Sequence, residues 1–184
     1  MTKEQYEKAI NFASKVHEGQ VRDSGEPYIT HPLNGSDLLL QYGYRDFVYR
    51  IVTVLHDTIE DCKREDRDAV IAGIEAEFGV QVLELVQWLT NQKNSNLTRL
   101  EQKTVDRLML AKAPKIAKVV KLVDRLNNVQ TMEAAWEDWR VLRYIAETRA
   151  LVLVLKSADP IIANQILDVC TQVETNMFNK KRQL

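Results

Sequence analysis

A chain of 184 residues, 45% hydrophobic and 28% charged, is long enough to bury a sizeable core and is expected to form one domain over 1–184. Its formal net charge of −1 excludes an overall basic field that would recruit nucleic acid. The opening residues, 1–15, are too charged for a secretory segment, and the longest purely apolar run, 150–155, is far too short to span a bilayer. A cytoplasmic protein with no membrane partner is expected. Cys62 and Cys170 stand far apart, in no metal-type spacing, and read as free thiols of a reducing compartment. The basic tail Lys180-Lys181-Arg182 reads as a solvated end.

The dominant period is helical. Tyr6, Ile10, Ala13 and Val16-His17 predict a first helix over 3–17. Gly19, Gly25 and Pro27 make 18–30 a loop. Pro32 suits a first helical position, so a second helix follows through 42 and ends at Gly43. A third helix is expected over 47–60, apolar until His56. Two more, 67–78 and 80–89, are separated by Gly79, and the asparagine-rich stretch 90–96 is a loop. Helices over 97–112 and 114–131 come next, the second opened by Pro114. An apolar-striped helix over 139–157 and a last one from Asp159-Pro160 to about 178 complete the chain. With no convincing strand and no repeat, the fold is expected to be all-α, a bundle of eight to ten helices.

The chemistry lies in a divided set of side chains. His31 stands in Tyr28-Ile29-Thr30-His31-Pro32, His56 and Asp57 are adjacent, and Asp124 comes much later. Two imidazoles and two carboxylates suit Mn²⁺, Fe²⁺ or Zn²⁺ better than Ca²⁺. A metal so held lowers the pKa of a water and stabilises charge on phosphate. At 100° per residue His56, Asp57, Glu60 and Asp61 fall in an arc of roughly 140°, so one helical face carries an imidazole and three carboxylates. Unpaired charge at the end of a buried helix is costly, and a metal or an arginine would compensate it.

Four ordered motifs carry a resemblance: Ala13 to Gln20, Arg22 to Pro32, His56-Asp57-Thr58-Ile59-Glu60-Asp61, and Lys121 to Thr131. Together they resemble the HD-domain metal phosphohydrolases, and more narrowly the hydrolase domain of the RelA/SpoT group and its stand-alone small alarmone hydrolases. The motifs lie within 8–131, and the helices over 139–178 complete the fold. By that resemblance His31, His56, Asp57 and Asp124 would ligate one Mn²⁺, with Glu60 and Asp61 serving proton transfer and water positioning. Arg22, Ser24, Asn128 and Thr131 would hold a nucleotide. The resemblance implies a Mn²⁺-dependent (p)ppGpp 3′-pyrophosphohydrolase releasing pyrophosphate and GDP or GTP, without synthetase or regulatory domains.

Two positions depart from the family pattern. Asp23 stands where relatives carry lysine, and a carboxylate there repels phosphate, by ~1 kcal/mol or less at an exposed site. It opens a rival reading, a phosphatase or pyrophosphohydrolase acting on an adenine alarmone, the 2′-phosphate of NADPH or a nucleotide monophosphate. Asn127 stands where many relatives carry histidine and would alter the surroundings of Asp124. A non-enzymatic nucleotide-sensing scaffold is disfavoured, because it has no chemical need for the four ligands plus Glu60 and Asp61. His17 is expected to be a satisfied histidine at a helix end, and Arg125 an internal ion-pair partner. Trp88, Trp136 and Trp139 are expected to make interhelix contacts. Lys112, Lys115, Lys118 and Lys121 are expected to form a solvated face. Apolar positions on the C-terminal helices would serve a homodimer.

Overall fold

The computed structural model describes residues 1–91, 95–132 and 136–181, with residues 180 and 181 described by backbone alone. Parts of the 90–96 loop and of the basic tail therefore lie outside the described residues. Among the described residues ten α-helices follow in order: α1 Lys3–Val16, α2 Thr30–Gln41, α3 Phe47–Leu55, α4 Thr58–Asp61, α5 Arg67–Phe78, α6 Val80–Leu89, α7 Arg99–Lys112, α8 Lys115–Gln130, α9 Asp138–Leu155 and α10 Pro160–Lys181. A 3₁₀ turn, Arg64–Asp66, precedes α5. No strand is present among the described residues beyond one isolated bridge, Val21 to Pro27. The all-α expectation is met.

Local chemistry sets the helix ends. Thr2 with Gln5 and Thr98 with Glu101 form reciprocal capping boxes at α1 and α7. Because Thr98 is the cap, α7 begins at Arg99 rather than at 97. The Asp159 carboxylate accepts from the Ile161 and Ile162 amides at the start of α10 and from the Tyr44 hydroxyl at 2.6 Å. Gly79, at φ 86°, ends α5 and starts α6.

Helices α3 and α8 occupy the middle. Five consecutive residues of α3, Ile51 to Leu55, are buried, because α1, α2, α6 and α8 all pack on it. The core includes Leu39, Ile51, Leu55, Ile59, Ile74, Leu122 and Leu126, each 2% exposed or less. Burial of such side chains stabilises by about 1.5–3 kcal/mol each. At Gly35 a Cβ would stand 3.0 Å from Thr53 Cγ2, so a glycine here lets α2 lie close on α3. That approach brings His31 of α2 to the end of α3.

The expected third helix over 47–60 is two helices. The break falls at His56-Asp57 and has a local cause. The His56 imidazole Nδ1 takes the carbonyl of Thr53 at 2.7 Å, and the Thr58 hydroxyl takes that of Leu55 at 2.7 Å. Side chains occupy carbonyls that a continuous helix would give to amides. The arc computed for an unbroken helix therefore does not describe the four polar residues.

Candidate metal centre and nucleotide cleft

Helices α2, α3 and α8 each bring part of a buried polar cluster. His31, His56 and Asp124 each offer a ligand atom within 4.8 Å of the others. His31 Nε2 lies 3.1 Å from Asp124 Oδ1 and 3.9 Å from Asp57 Oδ2. His56 Nε2 lies 2.9 Å from Asp57 Oδ2 and 3.7 Å from Asp124 Oδ1. The four residues singled out in the sequence thus converge, from positions 93 residues apart at the extreme.

The donor set fits a cation. A carbonyl only accepts, so His56 Nδ1 donates to Thr53 and the neutral ring turns the Nε2 lone pair inward. That atom is buried and makes no hydrogen bond, yet it faces two carboxylate oxygens. Acceptor against acceptor needs a proton or a metal between them. Burial works against a charged His56, but the Asp57 and Asp124 carboxylates outweigh it and push the pKa up to about 10. Burial likewise opposes ionisation of both carboxylates. His56 overcomes it at Asp57, and Lys121 with the two histidines at Asp124, so both are held below the usual carboxylate range.

A further ring of groups orients the set. The Tyr28 hydroxyl donates to Asp57 Oδ2 at 2.6 Å, and the Asn128 amide to Asp124 Oδ1 at 2.7 Å. Lys121 Nζ lies 2.8 Å from Asp124 Oδ2. Lys121 therefore leaves the solvated face expected for it and joins the site. Its burial disfavours charge, but Asp124 and Asp57 raise its pKa. The Asn127 amide donates to the His31 carbonyl at 2.9 Å, which ties α8 to α2 beside the cluster.

An open cleft of about 370 Å³ lies over this centre. Glu60 and Asp61 both line it but are held differently. Both Glu60 oxygens accept from Asn91, through its backbone amide and its side chain, at 2.9–3.1 Å. Asp61 opens on the cleft, where partial desolvation and the Asp57 charge raise its pKa. In the same lining the Arg22 guanidinium donates to Asn128 at 3.3 Å and Thr131 at 3.2 Å. Three of the four expected nucleotide contacts are therefore joined. Ser24 lies exposed at the tip of the same loop, outside the cleft lining.

Asp23 does not face the cleft as an unpaired charge. Arg140 Nη2 lies 2.6 Å from its Oδ2, and Trp136 Nε1 donates to the same oxygen at 3.0 Å. The Arg140 bond is the main reason its carboxyl pKa falls. Trp136 also lines the cleft with Arg140 stacked 3.7 Å above its ring, so it does more than bridge helices. Arg125 makes no ion pair among the described residues; it stacks 4.6 Å over Tyr144 and reaches the Thr148 hydroxyl at 3.4 Å. The sequence pattern gives no role to Tyr28 or Asn91 and places Lys121 on a solvated face. Only Lys121 carried a local signal, its three-residue spacing to Asp124.

A helical bundle that gathers two imidazoles and two carboxylates at the floor of an acid-lined cleft defines a metal-binding hydrolase architecture. The family described as HD domain matches residues 9–161, and the chain belongs to it. The human guanosine-3′,5′-bis(diphosphate) 3′-pyrophosphohydrolase MESH1 is 36% identical over 146 residues, 74% of this chain and 76% of that one. The guanosine-3′,5′-bis(diphosphate) 3′-pyrophosphohydrolase of Aquifex aeolicus is 35% identical over 139 residues, but the match covers only 19% of its length. A solved structure, described as a metazoan ortholog of SpoT that hydrolyzes ppGpp, superposes with a TM-score of 0.80 at 24% identity. It covers 94% of this chain and 97% of its own. No helix among the described residues is long and apolar enough to cross a membrane.

Proposed function

We propose that the chain is a metal-dependent (p)ppGpp 3′-pyrophosphohydrolase and that His31, His56, Asp57 and Asp124 hold one Mn²⁺. The observation that carries the reading is the buried His56 Nε2 lone pair facing two carboxylates, in a chain whose relatives are named for this reaction. Fe²⁺ or Zn²⁺ satisfies the same donor set. When bound, the ion supplies an activated water and stabilises charge on the reacting phosphate.

The net reaction adds water across the ester between the ribose 3′ oxygen and its pyrophosphate, giving GDP or GTP and pyrophosphate. Water must lose a proton and the 3′ oxygen must gain one. Asp61, with its raised pKa, is suited to carry that proton. Glu60, clamped by Asn91, holds the neighbouring wall. Tyr28 and Lys121 fix Asp57 and Asp124 in one orientation. Arg22, steadied by Asn128 and Thr131, presents a planar cation to the base or a phosphate. Ser24, exposed at the loop tip outside the cleft lining, would meet only a part of the nucleotide that extends beyond the cleft.

The rival nucleotides lose their electrostatic ground, because Arg140 already neutralises Asp23. We take 1–184 as one hydrolase domain, since α9 packs on α8 and α10 on both. A cytoplasmic setting suits the unpaired Cys62 and Cys170. Leu153, Ile161 and Phe178, exposed on α9 and α10, are where we place a homodimer contact. The test is pyrophosphate release by chelator-treated protein after adding back Mn²⁺, Fe²⁺ or Zn²⁺. Release must return with Mn²⁺ and stay absent in Asp124→Ala; activity that survives chelation contradicts the reading.

A further inference from the structure

Helix α4 is one turn long, so the carbonyl of its last residue, Asp61, has no partner within the helix. The chain turns extended at once, with Cys62 at φ −67° and ψ 160°. The open carbonyl is met from 41 residues away: Gln20 Nε2 donates to the Asp61 oxygen at 2.8 Å. A carbonyl only accepts, so the nitrogen of the Gln20 amide faces Asp61 and its oxygen faces the other way. That oxygen lies 2.8 Å from His17 Nδ1. An amide oxygen also only accepts, so His17 carries its proton on Nδ1. Burial pushes the His17 pKa down and keeps the ring neutral at pH 7. Its Nε2 is then a bare lone pair, buried and without a hydrogen-bond partner among the described residues.

Gln20 also acts through its backbone. Its carbonyl accepts from the Tyr28 amide at 2.9 Å, and Tyr28 in turn holds Asp57. The end of α1, the nucleotide loop and α4 therefore meet at one residue. A four-residue helix does not hold its own geometry in water, because one turn fixes many torsions for one or two bonds. Its shape has to come from what caps it.

We propose that Gln20 is a positioning residue for Asp61: its amide, oriented by His17, closes the open end of α4 and fixes the backbone from which the Asp61 carboxylate reaches the cleft. The role rests on the reading of Asp61 as the proton carrier of the hydrolase.

Two substitutions test it in the full-length, Mn²⁺-loaded protein. Gln20→Glu keeps the size and the acceptor for His17 but sets a carboxylate oxygen against the Asp61 carbonyl. Gln20→Met keeps the length and removes both bonds, and it serves if Gln20→Glu does not fold. Misplacing a reacting group by about 1 Å costs up to ~100-fold, so kcat should fall by about tenfold or more. The Michaelis constant and Mn²⁺ content should stay near wild type, because Arg22 and the four ligands are untouched. Imidazole ¹⁵N shifts give a readout free of substrate: His17 should be the Nδ1–H tautomer in wild type and mixed in Gln20→Met. A folded variant with kcat within twofold of wild type overturns the proposal, and so does an Nε2–H tautomer in wild type. If wild type releases no pyrophosphate at all, the hydrolase reading fails, and the ¹⁵N shifts alone decide the cap.

Discussion

Asp23 and Arg140, 117 residues apart, join the nucleotide loop to α9 through a 2.6 Å ion pair. Trp136 adds a second bond to the same oxygen, at 3.0 Å. A residue whose charge reads as repulsive in the sequence is a fastening in the fold.

Substitution at this position should therefore loosen binding. Asp23→Lys removes both bonds and sets a cation against Arg140. An exposed pair contributes little, so the Michaelis constant for (p)ppGpp should rise by roughly fivefold, about 1 kcal/mol, with turnover within twofold. The loop-repulsion expectation has the opposite sign: a lower Michaelis constant, most marked at low salt. Steady-state kinetics at two ionic strengths separates them.

The two acidic residues of α4 should also separate. Asp61→Asn should keep the metal and lose roughly 10²-fold or more in kcat, as a group that moves a proton. Glu60→Gln still offers Asn91 one oxygen, so its loss should be smaller, on the order of tenfold. Metal content by mass spectrometry, with kcat for each, checks this. Equal losses would mean that Glu60 also carries a proton.

Much of this was legible in the sequence. The bounds of α5 and α6 follow from apolar period and from Gly79, and His31, His56, Asp57 and Asp124, grouped in the sequence by residue type, do come together in the fold. What periodicity misses is side chain bonded to main chain. The break at His56-Asp57 arises from an imidazole and a hydroxyl taking helix carbonyls, which no hydropathy pattern records. Tyr28 and Asn91 act on residues 29 and 31 positions away, contacts that only the folded chain defines. Lys121 sits in a lysine series that reads as solvated, yet its Nζ lies 2.8 Å from the buried Asp124 carboxylate.

The metal-free protein should show a distinctive pH dependence. The folded-state pKa of His56 is raised from 6.5 to about 10, so its stabilising contribution is complete below 6.5 and is lost as pH rises through about 10. Asp57 and Asp124 are depressed, so their contribution is present above 3.8 and is lost in acid. Urea melts in chelator should thus weaken from pH 6.5 to 10. With Mn²⁺ in place of the proton that decline should largely vanish. A flat alkaline profile in chelator would show that no proton bridges His56 and the carboxylates.

The close contact of α2 on α3 makes a prediction about packing. Gly35→Ala puts a Cβ 3.0 Å from Thr53 Cγ2 and should cost about 1 kcal/mol or more. Thr53→Ser removes that methyl while leaving the carbonyl that His56 uses, so the double variant should recover most of the loss. Chemical denaturation of the four proteins in a double-mutant cycle checks the coupling. Additive losses would place the strain elsewhere.

The proposed His-Asp metal centre would remove pyrophosphate from the 3′ position of a guanosine nucleotide. The most direct measurement is product identification after incubating the Mn²⁺-loaded protein with ppGpp, pppGpp, their adenine counterparts and NADPH. The guanosine substrates should give pyrophosphate with GDP or GTP, and Asp124→Ala should give no product. Orthophosphate from NADPH as the dominant product, with ppGpp untouched, would contradict it.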